Sequence, residues 1–323
     1  MTSPPARPED ARATSVTMIG SLAVRRGGTV LRAHQLGGPK PRQILEILLL
    51  NIGRPVSKDR LIDLLWADTP PNEAVTSIES YVSVLRRHLQ PGSGRHGPLG
   101  TTTGGYQIEA SSVDLDLARF DALVLTAQHA NPSAAYPLLI DALSLATGPL
   151  LADELRPPWA EDERRRHAGV VTAARVQASV AAAATGRLPA AIHWANQALL
   201  DDPMNEAAWT TLILALENSG QLAEGLRGFA RYRSVLDREL GCAPSKTLCD
   251  AHSRLLLATT NSHGELSDAM SALLVLHDQL VSTATGGART HNTADASARA
   301  AVLAAEHVLT SFLHRVGVSA TSR

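Results

Sequence analysis

Hydrophobic residues in the first third of the chain alternate with polar ones, then recur every three or four positions, then alternate again. The first alternating stretch, VTMIGSLAVRRGGTV followed by TVLRA, contains a Gly-Gly pair and predicts a strand, a turn and a strand. The second, GPLGTTTGGYQIE, predicts another hairpin around Gly104 and Gly105. The stretch between the two hairpins has helical periodicity.

Three amphipathic helices are predicted between the hairpins. Two prolines in LGGPKPRQILEILLLN mark the start of the first helix, and Ser57 is the predicted N-cap of the second. The second helix should end at Asp68 and the third begin near Glu73, which leaves a short turn. The apolar positions at helical spacing are Ile44, Leu45, Leu48, Leu49, Leu61, Leu64, Leu65, Val75, Ile78, Val82, Leu85 and Leu89. Two helices joined by a short turn and followed by a glycine hairpin predict a winged helix-turn-helix.

From Val113 onward the strand pattern disappears, and the sequence predicts helices only. A repeat is visible among them, because Gly186 and Gly220 lie 34 residues apart at corresponding turns. Ala191 and Gly225 share that spacing at positions where neighbouring helices would cross. A 34-residue period with small residues at crossings is the signature of tetratricopeptide repeats.

The expected fold is therefore mainly α with a small β component: a winged helix-turn-helix domain followed by a tetratricopeptide-like all-α domain. The expected parts are a disordered tail at residues 1–15, the winged-helix DNA-binding domain at 16–110, the tetratricopeptide-like activator domain at 111–260 and a C-terminal helical extension at 261–323.

Charge is distributed unevenly, although the net charge of the whole chain is −1. Residues 1–108 contain 13 Lys and Arg against 8 Asp and Glu, whereas residues 109–323 contain 17 against 23. The excess of positive charge in the winged-helix part indicates that this part contacts a polyanion such as nucleic acid.

Composition excludes several classes of protein. No apolar run approaches the ~20 residues that cross a bilayer, and MTSPPARPEDARATS lacks the apolar core of a signal peptide. Two cysteines, Cys242 and Cys249, are too few for a disulfide scaffold and are expected to be small, partly buried residues. A cytoplasmic, nucleoid-associated protein without a membrane partner is expected.

Motifs for catalysis, phosphate binding or metal binding do not occur: the sequence lacks GxxxxGK[ST], HExxH, CxxC and a GxGxxG after a strand. The run from Glu161 to Arg166 places acids before bases, which is typical of a solvated helix start with salt bridges. We therefore expect no enzyme activity, no catalytic residues, no cofactor and no metal.

A winged helix presents its third helix to the major groove of DNA, which admits one α-helix. The N-terminal half of that helix reaches deepest, so Thr76, Ser77 and Ser80 are the candidates for contacts with base edges. Lys40 and Arg42 of the first helix are further candidates for phosphate. The main candidates for phosphate contacts, which position a protein without identifying sequence, are Lys58, Arg60, Tyr81, Arg86, Arg87, Thr102, Thr103 and Tyr106.

Another interpretation stays open from the residues alone, namely a tetratricopeptide scaffold whose winged helix mediates protein contacts. The coincidence of the basic excess with the winged helix favours double-stranded DNA as the partner.

The series GPKPRQILEILLLNIGRPVSKDRLIDLLWADTPPNEAVTSIESYVSVLRRHL, GGYQIE and VDLDLARF resembles the Streptomyces antibiotic regulatory protein (SARP) family. The resemblance covers roughly residues 16–257 and implies an OmpR-type winged helix joined to a bacterial transcriptional activator domain of tetratricopeptide-like helices. The family often has arginine where this chain has Val84 and Thr102. We therefore expect this protein to bind DNA through fewer charged residues, or to use Arg86, Arg87 and Arg95 for these contacts instead.

The resemblance also implies a function. Such a protein activates the gene cluster of a secondary metabolite such as an antibiotic, binds direct repeats near the promoter's −35 region, and self-associates there. It recruits RNA polymerase, partly through the sigma factor. The turn with Asp68, Thr69 and Asn72 is the expected polymerase contact.

Overall fold

The computed structural model describes residues 14–92 and 97–259. Arg95, most of the expected tail and the expected C-terminal extension lie outside the described residues. The chain divides into two compact units, residues 1–211 and residues 212–323.

A four-stranded sheet in the order β3-β2-β1-β7 opens the fold. Strands β1 (Thr14–Thr17), β2 (Ala23–Arg26) and β3 (Thr29–Arg32) are antiparallel. The hairpin predicted at the Gly-Gly pair is confirmed as β2 and β3, and β1 pairs with β2 as an additional strand. Strand β7 (Val113–Leu115) pairs in parallel with β1. The prediction that strands end before Val113 is therefore wrong, because three residues are too few to show an alternating pattern.

Helices α1 (Pro39–Leu50), α2 (Lys58–Trp66) and α3 (Ala74–Leu89) form the centre of the N-terminal part. Almost all of their predicted apolar positions are buried. Leu64 is half-buried, and Val75 is the exposed one of these positions, with 44% of its surface exposed. Helix α3 begins at Ala74, and this residue takes the core-facing position of the first turn, which leaves Val75 about 100° away from it.

A second sheet, which we call the wing, contains β4 (Val56–Ser57), β6 (Gly105–Ile108) and β5 (Leu99–Thr102) in that order. Strands β5 and β6 form the predicted second hairpin. At the turn, Gly104 has a φ of 80°, and a Cβ on Gly105 would lie 2.1 Å from the carbonyl oxygen of Val56. Glycine is required at both positions, first for the left-handed backbone and then for the close approach of the strands.

The remaining described elements are mostly helices. Within residues 14–92 and 97–259, no helix is both long and apolar enough to span a membrane. The helices are α4 (Asp116–Gln128), α5 (Pro132–Leu145), α6 (Pro158–Ala184), α7 (Leu188–Asp201), α8 (Glu206–Asn218), α9 (Leu222–Glu239) and a helix over residues 246–259.

The 34-residue repeat in the sequence has a structural counterpart. Gly186 follows α6 with a φ of 73°, and Gly220 follows α8 with a φ of 74°, so both helices end at a left-handed glycine. Ala191 in α7 is fully buried, and a Cβ on Gly225 in α9 would lie 2.9 Å from a methyl carbon of Leu255. Small residues therefore allow neighbouring helices to approach closely.

The connection between α5 and α6 pairs with the N-terminal sheet through its main chain. The Gly20 N–H donates to the carbonyl of Pro149 over 2.9 Å, and the Leu151 N–H donates to the carbonyl of Met18 over 3.0 Å. We call this junction the seam and define it as residues 18–22, 42–46, 116 and 149–154.

Polar side chains complete the seam. The guanidinium of Arg42 and the amide of Gln43 donate to the two carboxylate oxygens of Glu154, over 2.5 and 2.8 Å. The carboxylate of Asp116 accepts the backbone N–H groups of Met18 and Ile19 over 2.9 to 3.0 Å. The seam therefore joins the sheet and α1 to the helical part by charged and backbone hydrogen bonds.

These contacts correct the expectation that Lys40 and Arg42 contact phosphate. The Arg42 side chain is held by Glu154 in the seam. The Lys40 ammonium donates to the carbonyl of Leu65 over 2.5 Å and lies 5.5 Å from the ring centroid of Trp66. Both side chains are used in packing α1 against its neighbours.

Candidate nucleic-acid interface

Side chains on α3 form a continuous exposed stripe opposite the buried face of the helix. Successive helical residues are about 100° apart, so four positions lie within about 40° of the direction opposite Ile78. These residues, which we call the outer stripe, are Thr76, Ser80, Ser83 and Arg87, and all four are exposed.

Two of the three base-reading candidates, Thr76 and Ser80, belong to the outer stripe. The third, Ser77, is half-buried at its edge. Ser83 received no role from the sequence, and its hydroxyl donates to the carbonyl of Glu79 over 2.9 Å. The structure thus places short hydroxyl side chains and Arg87 on one face.

The start of α2 lies beside α3. Its predicted N-cap is confirmed, since the hydroxyl of Ser57 accepts the N–H of Arg60 over 3.1 Å. The Lys58 ammonium donates to Oε1 of Glu79 over 2.5 Å, and this hydrogen bond raises the pKa of Lys58. Of the two phosphate candidates on α2, Lys58 is therefore paired with a carboxylate of α3, whereas Arg60 is exposed.

Arg86 fastens the wing to α3. Its guanidinium donates to the carbonyl of Leu99 over 3.2 Å and to the hydroxyl of Thr101 over 2.7 Å, and it lies 5.9 Å from the ring centroid of Tyr106. Arg86 is half-buried, while Arg87 is exposed on the outer stripe. The two adjacent arginines therefore have different surroundings.

The structure corrects one phosphate candidate in the wing. Tyr106 is only 4% exposed, and its strand is the central one of the wing, where it pairs with Val56 on one side and Thr101 on the other. Its ring does not present a surface to DNA. The hydroxyl of Thr102 is also buried, whereas Thr103 is exposed at the turn.

A backbone hydrogen bond joins the wing turn to α2, since the Lys58 N–H donates to the carbonyl of Gly104 over 3.0 Å. Together with the contacts of Arg86 and Glu79, it holds the start of α2, α3 and the wing in one arrangement. We define the candidate interface as the outer stripe with Lys58, Arg60, Thr101 and Thr103. Tyr81, a further phosphate candidate, is half-buried on the flank of α3.

Val84 has a packing role that the sequence did not reveal. A Cβ on Gly37, which has a φ of 89°, would lie 2.4 Å from a methyl carbon of Val84. The valine side chain therefore covers the loop before α1, at a position where the related family often carries arginine. The apolar side chain at this position is therefore used in packing.

The turn between α2 and α3 is exposed along its length. Asp68, Thr69 and Asn72 are all exposed, and the hydroxyl of Thr69 donates to the carbonyl of Trp66 over 3.2 Å. Ala67 begins the turn with a φ of 50°. The polymerase-contact candidates thus lie on an accessible segment.

The seam contains a carboxyl group in an unfavourable environment. Glu46 is fully buried, and within the described part of the chain neither of its oxygens has a hydrogen-bond partner. Burial, reinforced by the neighbouring carboxylate of Glu154, raises its pKa to about 9, although Arg42 acts in the opposite direction. Glu46 is therefore protonated at neutral pH.

The cysteines are both exposed, so the expectation that they are partly buried is wrong. Cys242 lies in the loop after α9, and Cys249 lies in the first turns of the following helix, where few neighbours cover them. Across the described residues, His, Cys, Asp and Glu side chains form no group that could hold a metal ion.

The predicted salt bridges at the start of α6 are present. Arg165 pairs with Asp162 over 2.6 Å and Arg166 with Glu163 over 2.7 Å. Arg164 differs from them, because its guanidinium also donates to backbone carbonyls of residues 150–154. This arginine therefore supports the seam.

Two family models match the chain. The model described as "Transcriptional regulatory protein, C terminal" matches residues 35–107, which include α1, α2, α3 and the wing except for its last residue. The model described as "Bacterial transcriptional activator domain" matches residues 115–256, which include the helices from α4 onward.

Known proteins are similar over most of the chain. The transcriptional regulatory protein EmbR of Mycobacterium tuberculosis is 32% identical over 253 residues, which are 74% of this chain and 62% of EmbR. The regulatory protein DnrI of Streptomyces peucetius is 28% identical over 265 residues, 75% of this chain and 92% of DnrI. The regulatory protein AfsR of Streptomyces coelicolor is 31% identical over 79% of this chain and 25% of AfsR. The chain thus spans less than two thirds of EmbR and about a quarter of AfsR.

A solved structure of Mycobacterium tuberculosis EmbR, in complex with a low affinity phosphopeptide, has the same fold. Its TM-score is 0.67 at 29% identity, and the match covers 79% of this chain and 70% of that chain. The order of domains agrees with the sequence motifs and with the geometry of the candidate interface. The chain belongs to the Streptomyces antibiotic regulatory protein family of transcriptional regulators, in which an OmpR-type winged helix precedes a bacterial transcriptional activator domain.

Proposed function

We propose that this protein is a sequence-specific activator that binds promoter direct repeats near the −35 region and recruits RNA polymerase to a secondary-metabolite gene cluster. The observation that carries the DNA-binding part is the outer stripe of α3, exposed beside the wing and the start of α2. The major groove is about 12 Å wide and admits a helix with such a face.

Roles within the candidate interface follow from side-chain chemistry. The hydroxyls of Thr76 and Ser80 donate to and accept from base edges, while the guanidinium of Arg87 contacts phosphate. Arg60 contacts the flanking backbone. Arg86 holds the wing in position, because its donors already face Leu99 and Thr101.

The polymerase-contacting surface of the proposal is the turn with Asp68, Thr69 and Asn72. Its exposure and its place between two helices of the interface support this role. The helical domain supplies further protein contacts, including self-association on adjacent repeats. The names of the related proteins, which are regulators of transcription, support an action on promoters.

A mobility shift with random-sequence duplex at two salt concentrations tests DNA binding. We expect binding at low salt that weakens steeply as salt rises, because phosphate contacts release counterions. A complete lack of salt-sensitive binding would exclude the DNA-binding function and leave a protein-binding scaffold as the function. Footprinting on promoters next to the protein's own gene then identifies the repeats.

Run-off transcription from a footprinted promoter tests activation. We expect Asp68→Ala to lower transcript yield several-fold while the affinity for promoter DNA is unchanged. Asp141→Asn is the matched control, since Asp141 is an exposed acid on α5. Equal transcript yields from the wild type and Asp68→Ala would show that Asp68 does not contact the polymerase.

A further inference from the structure

Glu79 is the single acidic residue within α3, and the proposed function gives it no role. It precedes Ser80 directly and lies three residues after Thr76, so it borders the outer stripe. Its side chain is 53% exposed. A carboxylate on a helix that faces DNA is repelled by phosphates, so its position beside the base-reading hydroxyls requires an explanation.

Lys58 fixes the position of this carboxylate. Its ammonium donates to Oε1 of Glu79 over 2.5 Å, and its own backbone N–H donates to Gly104 at the wing turn over 3.0 Å. Within the described residues, Oε2 of Glu79 accepts no hydrogen bond. One oxygen is thus anchored, and the other is an available acceptor at the edge of the outer stripe.

Stability does not account for this pair. Both side chains are partly exposed, at 27% for Lys58 and 53% for Glu79, and ion pairs in such settings contribute little to folding. The ammonium does offset the negative charge that Glu79 would otherwise present to the phosphates. The arrangement therefore favours a role for the Glu79 carboxylate in contacting a base.

The chemistry of the major groove identifies that base. A carboxylate only accepts hydrogen bonds, and guanine presents two acceptors there. Adenine has an acceptor beside its amino group, whereas cytosine presents only its N4 amino group as a donor. Cytosine is therefore the base that best fits an ionised glutamate.

We propose that Glu79 is a specificity-determining residue whose Oε2 accepts a hydrogen bond from the N4 amino group of cytosine, with Lys58 as its positioning residue. This inference rests on the proposed function, since it requires that α3 enters the major groove. It adds a selected base to the hydroxyl contacts of Thr76 and Ser80.

Selection from a random duplex library by the purified full chain tests the inference. We expect the wild type to enrich a motif with cytosine at one position of each repeat. Glu79→Gln should change that position to adenine, because a glutamine amide bonds both N6 and N7 of adenine, and the preference should shift by about tenfold or more. All other positions of the motif should be unchanged.

Two further variants test whether Lys58 positions Glu79 and whether a change of surface charge alone alters the motif. Lys58→Met should weaken the cytosine preference at the same position, which a purely structural role of Lys58 would leave unchanged. Asp141→Asn removes one negative charge from the exposed surface of α5 and should leave the motif as it is. Circular dichroism of each variant confirms that it is folded.

The outcomes distinguish this inference from the proposed function. If folded Glu79→Gln enriches the wild-type motif unchanged, Glu79 does not contact a base and the inference is overturned while sequence-specific binding stands. If the wild type enriches no motif, sequence-specific DNA binding itself fails, and the role of Glu79 fails with it.

Discussion

Polar side chains have opposite surroundings in the seam and on the outer stripe of α3. In the seam, Arg42 donates to Glu154, which is 3% exposed, and Asp116 accepts backbone N–H groups. On the outer stripe, Ser80 and Arg87 are exposed to solvent. Polar groups in the first region hold elements together, whereas those in the second remain available to a partner.

A basic residue near the candidate interface is therefore not by itself evidence of DNA contact. Arg42 and Arg87 have the same chemistry, yet Arg42 is satisfied inside the fold. Even adjacent residues differ, since Arg86 is bonded to the wing and Arg87 is exposed. Substitutions in both regions test this contrast and are given in order of decreasing effect.

Asp116→Ala should cause the largest loss of stability, about 4 kcal/mol. It leaves the backbone N–H groups of Met18, Ile19 and Leu117 without their acceptor, at about 1–3 kcal/mol each. Urea unfolding followed by circular dichroism measures the change. The control Asp114→Ala alters an exposed neighbour and should shift the free energy of unfolding by less than about 0.5 kcal/mol. Equal effects of the two substitutions would contradict the role of the seam.

Glu46→Gln should stabilise the protein at alkaline pH. The pKa of Glu46 is about 9 in the folded chain against an ordinary 4.5. The stability that protonated Glu46 contributes to the folded state is therefore fully present below pH 4.5 and is lost as pH rises to 9. Glutamine does not ionise in the unfolded chain. At pH 7 the variant should exceed the wild type by on the order of 3 kcal/mol, and at pH 5 the difference should be below about 1 kcal/mol.

Thermal unfolding of both proteins between pH 5 and pH 9 provides the measurement for Glu46. Glu109→Gln, at an exposed position, is the matched control and should follow the wild-type profile. Parallel profiles of Glu46→Gln and the wild type would show that Glu46 is ionised in the folded protein.

Arg87→Ala should weaken DNA binding by about 1.4 kcal/mol, or tenfold, at low salt, for every sequence tested. The slope of log affinity against log salt should fall by about 1, because one phosphate contact is lost. Fluorescence anisotropy with a labelled duplex measures both. Arg227→Ala, on exposed surface of α9, should change neither. An altered sequence preference with an unchanged slope would assign Arg87 to a base.

The smallest of the expected effects is the difference in stability between Arg86→Lys and Arg87→Lys. Both keep the charge, but a lysine at position 86 cannot donate to Leu99 and Thr101 with the geometry of a guanidinium. We expect Arg86→Lys to lose about 1 kcal/mol of stability. Arg87→Lys should remain within about 0.5 kcal/mol of the wild type in the same urea experiment. Equal stabilities of the two variants would show that Arg86 does not stabilise the protein through its contacts with the wing.

Helix α3 and its exposed face could be predicted from the sequence, because buried residues recur regularly over 16 positions. Val75 fitted that period but lies in the first turn, where the start of the helix decides which residue is covered. The hairpin of the wing was also predictable from its glycines. Which face Tyr106 occupies was not, since strand alternation does not show which side the core lies on.

The seam could not be predicted, because its partners are distant in the sequence. Arg42 and Glu154 are 112 residues apart, and neither position carries a local motif. Strand β7 was missed because its three residues are too few to show alternation, so it is recognised only by its pairing with β1. Contacts of this kind depend on the tertiary fold and leave no periodic pattern.

Amide hydrogen exchange of the full chain, with and without excess duplex DNA at low salt, tests the contrast between the two regions most directly. We predict slower exchange on DNA addition in peptides from α3 and from the wing turn at 101–105, and no change in peptides from 146–157. Slowing confined to 146–157 or to the helices from α4 onward, with none in α3, would contradict the assignment of the outer stripe as the DNA-binding surface.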